Sequence, residues 1–393
     1  MRDVFIIDAA RTPTGIRNGA LSGLRPDDTL GVLLNHLVSE RLGIDAAEVE
    51  DLVCGCATQI GEQGMNVARS SILAGGLPSS MPGVSVNRQE GSGLQALAFA
   101  AQAVAAGEAG VAIACGVEFM SRQPLGADGF GDHLALLGTA VSPLVCDRFG
   151  DVVSQGIAAE RAAESLGLTR GDLDDWAKRS RELAASTAAS GAYAACIMPL
   201  ETTSPDGTTF ALREDEGAVR NMGDGELAGL APAFEPGGVV TAGNSGPAAD
   251  GAAAVLLASA EDASRLGLVP RARCVCTSLG AGDPRSISSG PIAAAARALS
   301  VAGLVLDDID LIEVNENFAS TVIAWMREMR PPRPERVNAF GGAIARGNPL
   351  GAVGIILACT LLGGLEGLEG RYGLAVTCAG MGMGIATILE RVA

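Results

Sequence analysis

Four short segments of this chain bring polar residues and glycines together in patterns that can do chemistry. Asn87-Arg-Gln-Glu-Gly-Ser-Gly-Leu94 puts Glu90 on a tight turn between an expected strand and a helix start. The free amides and dipole of a helix N-terminus stabilise developing negative charge. Acids are favoured there in any case, so the local pattern reads equally well as a plain glycine turn. Gly341 to Gly354 is a second glycine-dense elbow, with Asn348-Pro349 opening a helix. Thr377-Cys378-Ala-Gly-Met-Gly-Met-Gly384 follows a strand, and its glycines would let a ligand approach backbone amides. Both of these also read as turns that need glycine conformations. Glu313-Val-Asn-Glu-Asn-Phe318 is different, because Leu311-Ile312 before it and Phe318-Ala319 at its end are apolar. A buried polar network near a site accounts for that crowding better than surface exposure does.

The elements that would position these segments alternate between strand and helix. Strands are expected at Val4–Ile7, Asp51–Cys56, Gly83–Asn87 and Gly110–Cys115, and helices at Thr29–Leu42, Asn66–Ala74 and Ser92–Ala106. A second run of such units covers roughly residues 270 to 393. Apolar strands between helices imply an α/β sheet covered on both faces. Val86-Asn87, a Gly-rich turn and an Ala-rich helix are echoed by Val337-Asn338, Gly341-Gly342 and an apolar helix. The Gly110 to Cys115 strand is likewise echoed by Gly373 to Cys378. Two matches in the same order suggest a duplicated half, with a site where the two elbows meet. The halves are placed at 1-120, completed by about 245-270, and at 271-393. Between them, 121-244 is read as an inserted loop domain with a charged helix near Asp172–Ser190.

Composition narrows the function classes. The formal net charge of −17 excludes a nucleic-acid partner, which would need clustered Lys and Arg. The nine cysteines lie mostly in apolar runs, which suits a reducing, cytoplasmic compartment. Period-two alternation would put both thiols of Cys54/Cys56, and of Cys274/Cys276, on one strand face. No further ligand accompanies either pair, and His36 and His133 neighbour neither, so no metal is expected. The Val4-Phe5-Ile6-Ile7 run is too short for a signal peptide, and no stretch approaches a membrane span of about 20 residues.

Taken together, the motifs resemble the thiolase family, the acetyl-CoA acetyltransferases and 3-ketoacyl-CoA thiolases. The similarity runs from Ala9-Ala-Arg-Thr-Pro-Thr-Gly15 through Thr241-Ala-Gly-Asn244 and Asp250-Gly-Ala-Ala253 to the 378–384 segment. The resemblance implies the thiolase fold, duplicated α/β/α halves with an inserted loop domain that receives coenzyme A. It also implies a homodimer or homotetramer, with no permanently bound cofactor and a coenzyme A or carrier thioester as substrate. Glu90 stands where the family has its nucleophilic cysteine. Asn348 stands where it has the histidine of a Gly-His-Pro elbow. Asn315 matches the asparagine of the Asn-Glu-Ala-Phe motif, which orders an oxyanion-hole water. Cys378 matches the second, acid/base cysteine, and Gly380 the glycine whose amide holds the thioester oxygen. Around the ligand's coenzyme A part, Asn244-Ser245-Gly246-Pro departs from the family's Asn-Ala-Ser-Gly, and Arg220 matches an arginine near the nucleotide.

These departures bear directly on mechanism. Thiolysis needs a thiolate and a base to generate it, and an asparagine accepts no proton at neutral pH. The expectation is therefore an acyl-thioester enzyme of modified mechanism, transferring an acyl group or making or breaking a C–C bond without the cysteine nucleophile. Alternatives are decarboxylation of a malonyl-type thioester, or a non-catalytic thioester-binding subunit paired in a hetero-oligomer with an active thiolase.

Overall fold

The computed structural model describes residues 2–129, 138–150, 152, 154–203, 207–218 and 222–392; Arg220 and His133 lie outside them. In chain order the strands are β1 (Val4–Arg11), β2 (Gly15–Ile16), β3 (Asp51–Gly55), β4 (Val84–Val86), β5 (Val111–Phe119), β6 (Leu200–Thr203), β7 (Thr209–Leu212), β8 (Ala249–Ser259), β9 (Ala272–Ala281), β10 (Leu311–Val314), β11 (Tyr372–Ala379) and β12 (Met383–Arg391). All except the β6–β7 hairpin belong to one ten-stranded sheet, ordered β10-β11-β12-β9-β1-β8-β5-β3-β4 with β2 on β8.

The sheet repeats its own wiring. On one side β3 runs parallel to β5, which pairs antiparallel with β8, and β8 with β1. On the other side β10 runs parallel to β11, which pairs antiparallel with β12, and β12 with β9. The two sides join where Phe5 and Ile6 of β1 meet Arg273 and Ala272 of β9. Val86 pairs parallel with Gly55, and Val337 bridges Ile312 in the same sense. The Val-Asn echo in the sequence is thus an echo of position in the sheet.

Each face of the sheet is buried for a reason visible in its residues. Val4, Ile6 and Ala9 of β1, with Ala375 and Ile385 from the other half, pack against the Ser92–Ala106 and Leu350–Gly367 helices. The opposite face is covered in the first half by Leu30, Leu33 and Leu34 of the Pro26–Asn35 helix. In the second half Ala294, Ala298, Val322 and Trp325 of the Ser289–Ala302 and Ala319–Met329 helices cover it. The two central helices touch backbone to backbone: a Cβ on Gly354 would lie 2.4 Å from the Leu94 nitrogen. Small residues are what permit that approach. Leu350–Gly367 is the one helix among the described residues that comes near membrane-span length, yet 83% of it is buried inside the protein.

The expected alternation fails at 274–276. Cys276 faces Ile388 and Cys274 faces Leu389, so Val275 is an extra residue without a partner on β12. This β-bulge reverses the alternation. Cys274 packs into the central layer while Cys276 packs on the other face, so the two thiols do not share a side.

The segment between the halves also contributes to the core. The Gln155–Ser165 and Arg170–Ser190 helices bury Ala159, Ala163, Leu173 and Trp176 against the Val314–Phe318 region. Thr169 and Asp172 cap the second of these helices reciprocally, which fixes its start.

Candidate functional site

Glu90 lies between β4 and the Ser92–Ala106 helix on a turn that its own side chains tie down. The Gln89 amide donates to Asn87 Oδ1 at 2.8 Å, the Arg88 amide to Ser92 Oγ at 2.8 Å, and that hydroxyl to the Gln89 carbonyl at 2.6 Å. These bonds hold Gln89 at φ 51°, a left-handed conformation that a non-glycine residue adopts only when its surroundings impose it. The result aims Glu90 inward, where it is 3% exposed.

A chain of amides connects Glu90 to Cys378. Gln155 Nε2 donates to Glu90 Oε2 at 3.0 Å. Asn317 Nδ2 lies 3.4 Å from Gln155 Oε1 and 2.9 Å from the Cys378 sulfur. Burial pushes the Glu90 carboxyl up, against the pull of the Gln155 hydrogen bond. The Cys378 thiol is raised well above its ordinary value, first by burial and then by the negative charge of Glu90, with Asn317 pulling the other way. Both effects favour the thiol form of Cys378 over the thiolate.

Asn315 and Asn348 meet behind this pair, with Asn315 Nδ2 3.4 Å from Asn348 Oδ1. Among the described residues Asn315 Oδ1 and Asn317 Oδ1 are buried without a partner, the kind of unsatisfied polar atom that a ligand or water completes. Asn348 is held by its amide on the Pro247 carbonyl, and the Gly246 amide donates to the Asn317 carbonyl at 2.9 Å. Gly380 closes against the first elbow so tightly that a Cβ there would lie 2.0 Å from Gln89 Oε1. Glu90, Asn315, Asn348, Cys378 and Gly380, distant in sequence, thus converge on one place.

The residues expected around coenzyme A divide differently. Asn244 uses its side chain on its own surroundings, accepting from the Thr241 amide and donating to Asp174 Oδ1 and the Val239 carbonyl. Ser245 donates to the Thr241 carbonyl and bridges Phe318 by backbone. Gly246 is the one pressed against the site, where a Cβ would lie 2.6 Å from the Glu316 carbonyl. Arg220 falls outside the described residues.

Sequence reasoning missed Gln155 and Asn317. Asn317 carried a signal, being a second asparagine in the polar run 313–317, where one sufficed for the expected role. Gln155 carried only a weak one, a lone amide opening an Ala-rich helix after the Ser154 cap.

Comparison with known proteins finds relatives along the whole chain. Residues 4–261 match the thiolase N-terminal domain and residues 268–391 the thiolase C-terminal domain. A beta-ketoadipyl-CoA thiolase of Escherichia coli is 41% identical over 402 aligned residues, all of both chains. A steroid 3-ketoacyl-CoA thiolase of Mycobacterium tuberculosis is 42% identical over all of this chain and 95% of its own length. The crystal structure of the Bacillus anthracis acetyl-CoA acetyltransferase superposes with a TM-score of 0.90 at 32% identity, covering 100% of this chain and 99% of that one. With both halves matched and full-length relatives well above 30% identity, the chain belongs to the thiolase family.

Proposed function

We propose that this protein acts on acyl-CoA thioesters by moving a proton at the carbon next to the thioester carbonyl, so that a C–C bond can be made or broken there. In this reading Glu90 occupies the family's nucleophile position and Asn348 its histidine position. The observation that carries it is the hydrogen-bonded run from Glu90 through Gln155 and Asn317 to Cys378. A carboxylate at position 90 is a poor acyl carrier, because its acyl derivative is a reactive mixed anhydride, but it is a competent base. Its raised pKa brings it closer to working pH, where a general base is most effective. Glu90 would take the Cα proton, the electron pair would pass to the thioester oxygen as an enolate, and the Cys378 thiol would return a proton to Cα; water would then carry the proton from Glu90 to the Cys378 thiolate, restoring both groups. An Nδ2 hydrogen of Asn315 and the Gly380 amide would hold that oxygen, a role commonly worth about 3 to 4 kcal/mol per donor. Coenzyme A enters as part of the substrate, against the 244–246 loop.

The test is deuterium exchange at Cα of butyryl-CoA in D2O, read by mass spectrometry together with the intact protein. Exchange is expected in the natural protein and is lost in Glu90→Gln and Cys378→Ala. Exchange unchanged in either variant sinks the assignment. A stable acyl adduct on Cys378 would make that cysteine a nucleophile and restore acyl transfer. Binding of acyl-CoA with neither exchange nor adduct would identify a non-catalytic thioester-binding subunit.

A further inference from the structure

A cavity of about 250 Å³ lies beside the C-terminal half of the Arg170–Ser190 helix. Ala184, Thr187 and Ala188 of that helix form one side of it. The rest of its wall includes Tyr193 and Arg346, both buried, and the charged run Arg213-Glu214-Asp215. None of Glu90, Asn315, Asn348, Cys378 and Gly380 lines it, nor does any residue of the 244–246 loop. It is a second chamber with charges of its own.

Those charges do not balance. Asp215 is taken up by Arg11, whose guanidinium nitrogens stand 2.6 and 2.8 Å from its two oxygens, and by the Thr14 amide. Arg213 and Glu214 are exposed and opposite in sign, so they offset each other in water. Arg346 is 5% exposed and forms no ion pair among the described residues. Its Nη2 donates to the Gly341 carbonyl at 2.9 Å, and its guanidinium carbon stands 5.1 Å from the centre of the Tyr193 ring. A carbonyl and a ring face attract a cation without neutralising it. Its Nη1 is buried with no hydrogen-bond partner among the described residues. Of the acids that attract it through space, Asp215 already has Arg11, and burial lifts the Glu313 carboxyl to about 8, so that it is mostly uncharged at neutral pH. A buried guanidinium without a counter-charge is costly, and the cavity on whose wall it lies has room for the missing anion.

We infer that this cavity binds a small molecule through an oxyanion group, a phosphate or a carboxylate, held by Arg346 at a site separate from that of the thioester. A guanidinium presents a planar fork of donors that matches either group. The site does not depend on the thioester reading above. Inorganic phosphate and succinate are titrated calorimetrically against the protein at fixed ionic strength in chloride. The better of the two is expected to bind with a Kd of about 1 mM, and which one it is tells a phosphate-bearing ligand from a carboxylate-bearing one. Arg346→Met keeps the bulk of the side chain without its charge and should weaken that binding about ten-fold. Ala188→Phe changes a half-buried position on the cavity wall, fills part of the space with Arg346 in place, and should weaken it as well. Binding of neither anion overturns the inference, and so does an affinity unchanged in whichever variant folds. Displacement of the anion by free coenzyme A overturns the separate site, since the cavity would then take the nucleotide's phosphates. Binding that persists in saturating coenzyme A and fails in the variants is the result the inference requires.

Discussion

Two kinds of buried acid occur in this molecule, and they differ in how many donors they meet. Glu118 receives the amides of Ala57, Thr58 and Gly351 and the side chain of Gln63. Glu316 receives Trp176 Nε1, Ser180 Oγ, Asn338 Nδ2 and the Ile344 amide. Each ties together segments far apart in the chain, Glu118 in the first half and Glu316 in the second. Among the described residues Glu90, equally buried, has one side-chain donor, and Glu313 has none for either oxygen. A satisfied carboxylate is fixed by its surroundings and serves the fold. An unsatisfied one keeps its free energy available for a change of protonation or for a ligand.

That contrast can be broken most severely at Glu316. Glu316→Ala strands four buried donors at once and is expected to destabilise the protein by about 4 kcal/mol, seen as a lower urea midpoint. A midpoint within error of the natural one would mean that this network is not structural. Glu313 sharpens the other side. Burial lifts its carboxyl to about 8, against the attraction of Arg346. Because the folded pKa exceeds the unfolded one, the folded state holds a proton that the unfolded state releases. Stability is then highest below pH 4.5 and is lost as pH rises toward about 8. Glu313→Gln should abolish that loss, giving a thermal midpoint above the natural protein's at pH 9 and little different at pH 5. The smallest effect is expected at Gln155. Gln155→Leu removes the hydrogen bond that favours ionised Glu90, so the rising limb of the pH–exchange profile should move to higher pH with the fold unchanged. A limb that stays put would show that Glu90 is not the titrating base.

Much of the framework was legible because it rests on periodicity and punctuation. The Ser92–Ala106 helix has the bounds expected from the sequence. The Arg170–Ser190 helix begins two residues before the expected Asp172, since Thr169 supplies a cap that the charged pattern did not reveal. The 274–276 pair was misread because alternation presumes an unbroken ladder, and a bulge depends on what the opposite strand offers. Glu90, Asn315 and Cys378 were singled out by the motifs that resemble the thiolase family. Their linkage could not be, because Gln155 comes from a segment whose sequence reads mainly as loop and small-residue helix. Its importance arises only from the neighbours that the fold brings to it.

The Leu350–Gly367 helix has a consequence for how the chain comes into being. It is the inner layer for β5 and the Ser92–Ala106 helix, yet it leaves the ribosome after both of them. For most of synthesis the apolar surface of the first half faces an empty place that no earlier segment fills. Domains tend to fold as they emerge, but this half lacks one wall of its core until the Leu350–Gly367 helix arrives. Nascent chains stalled before residue 350 should therefore recruit chaperones and resist cooperative folding, and release of the last helix should be the event that closes both halves together.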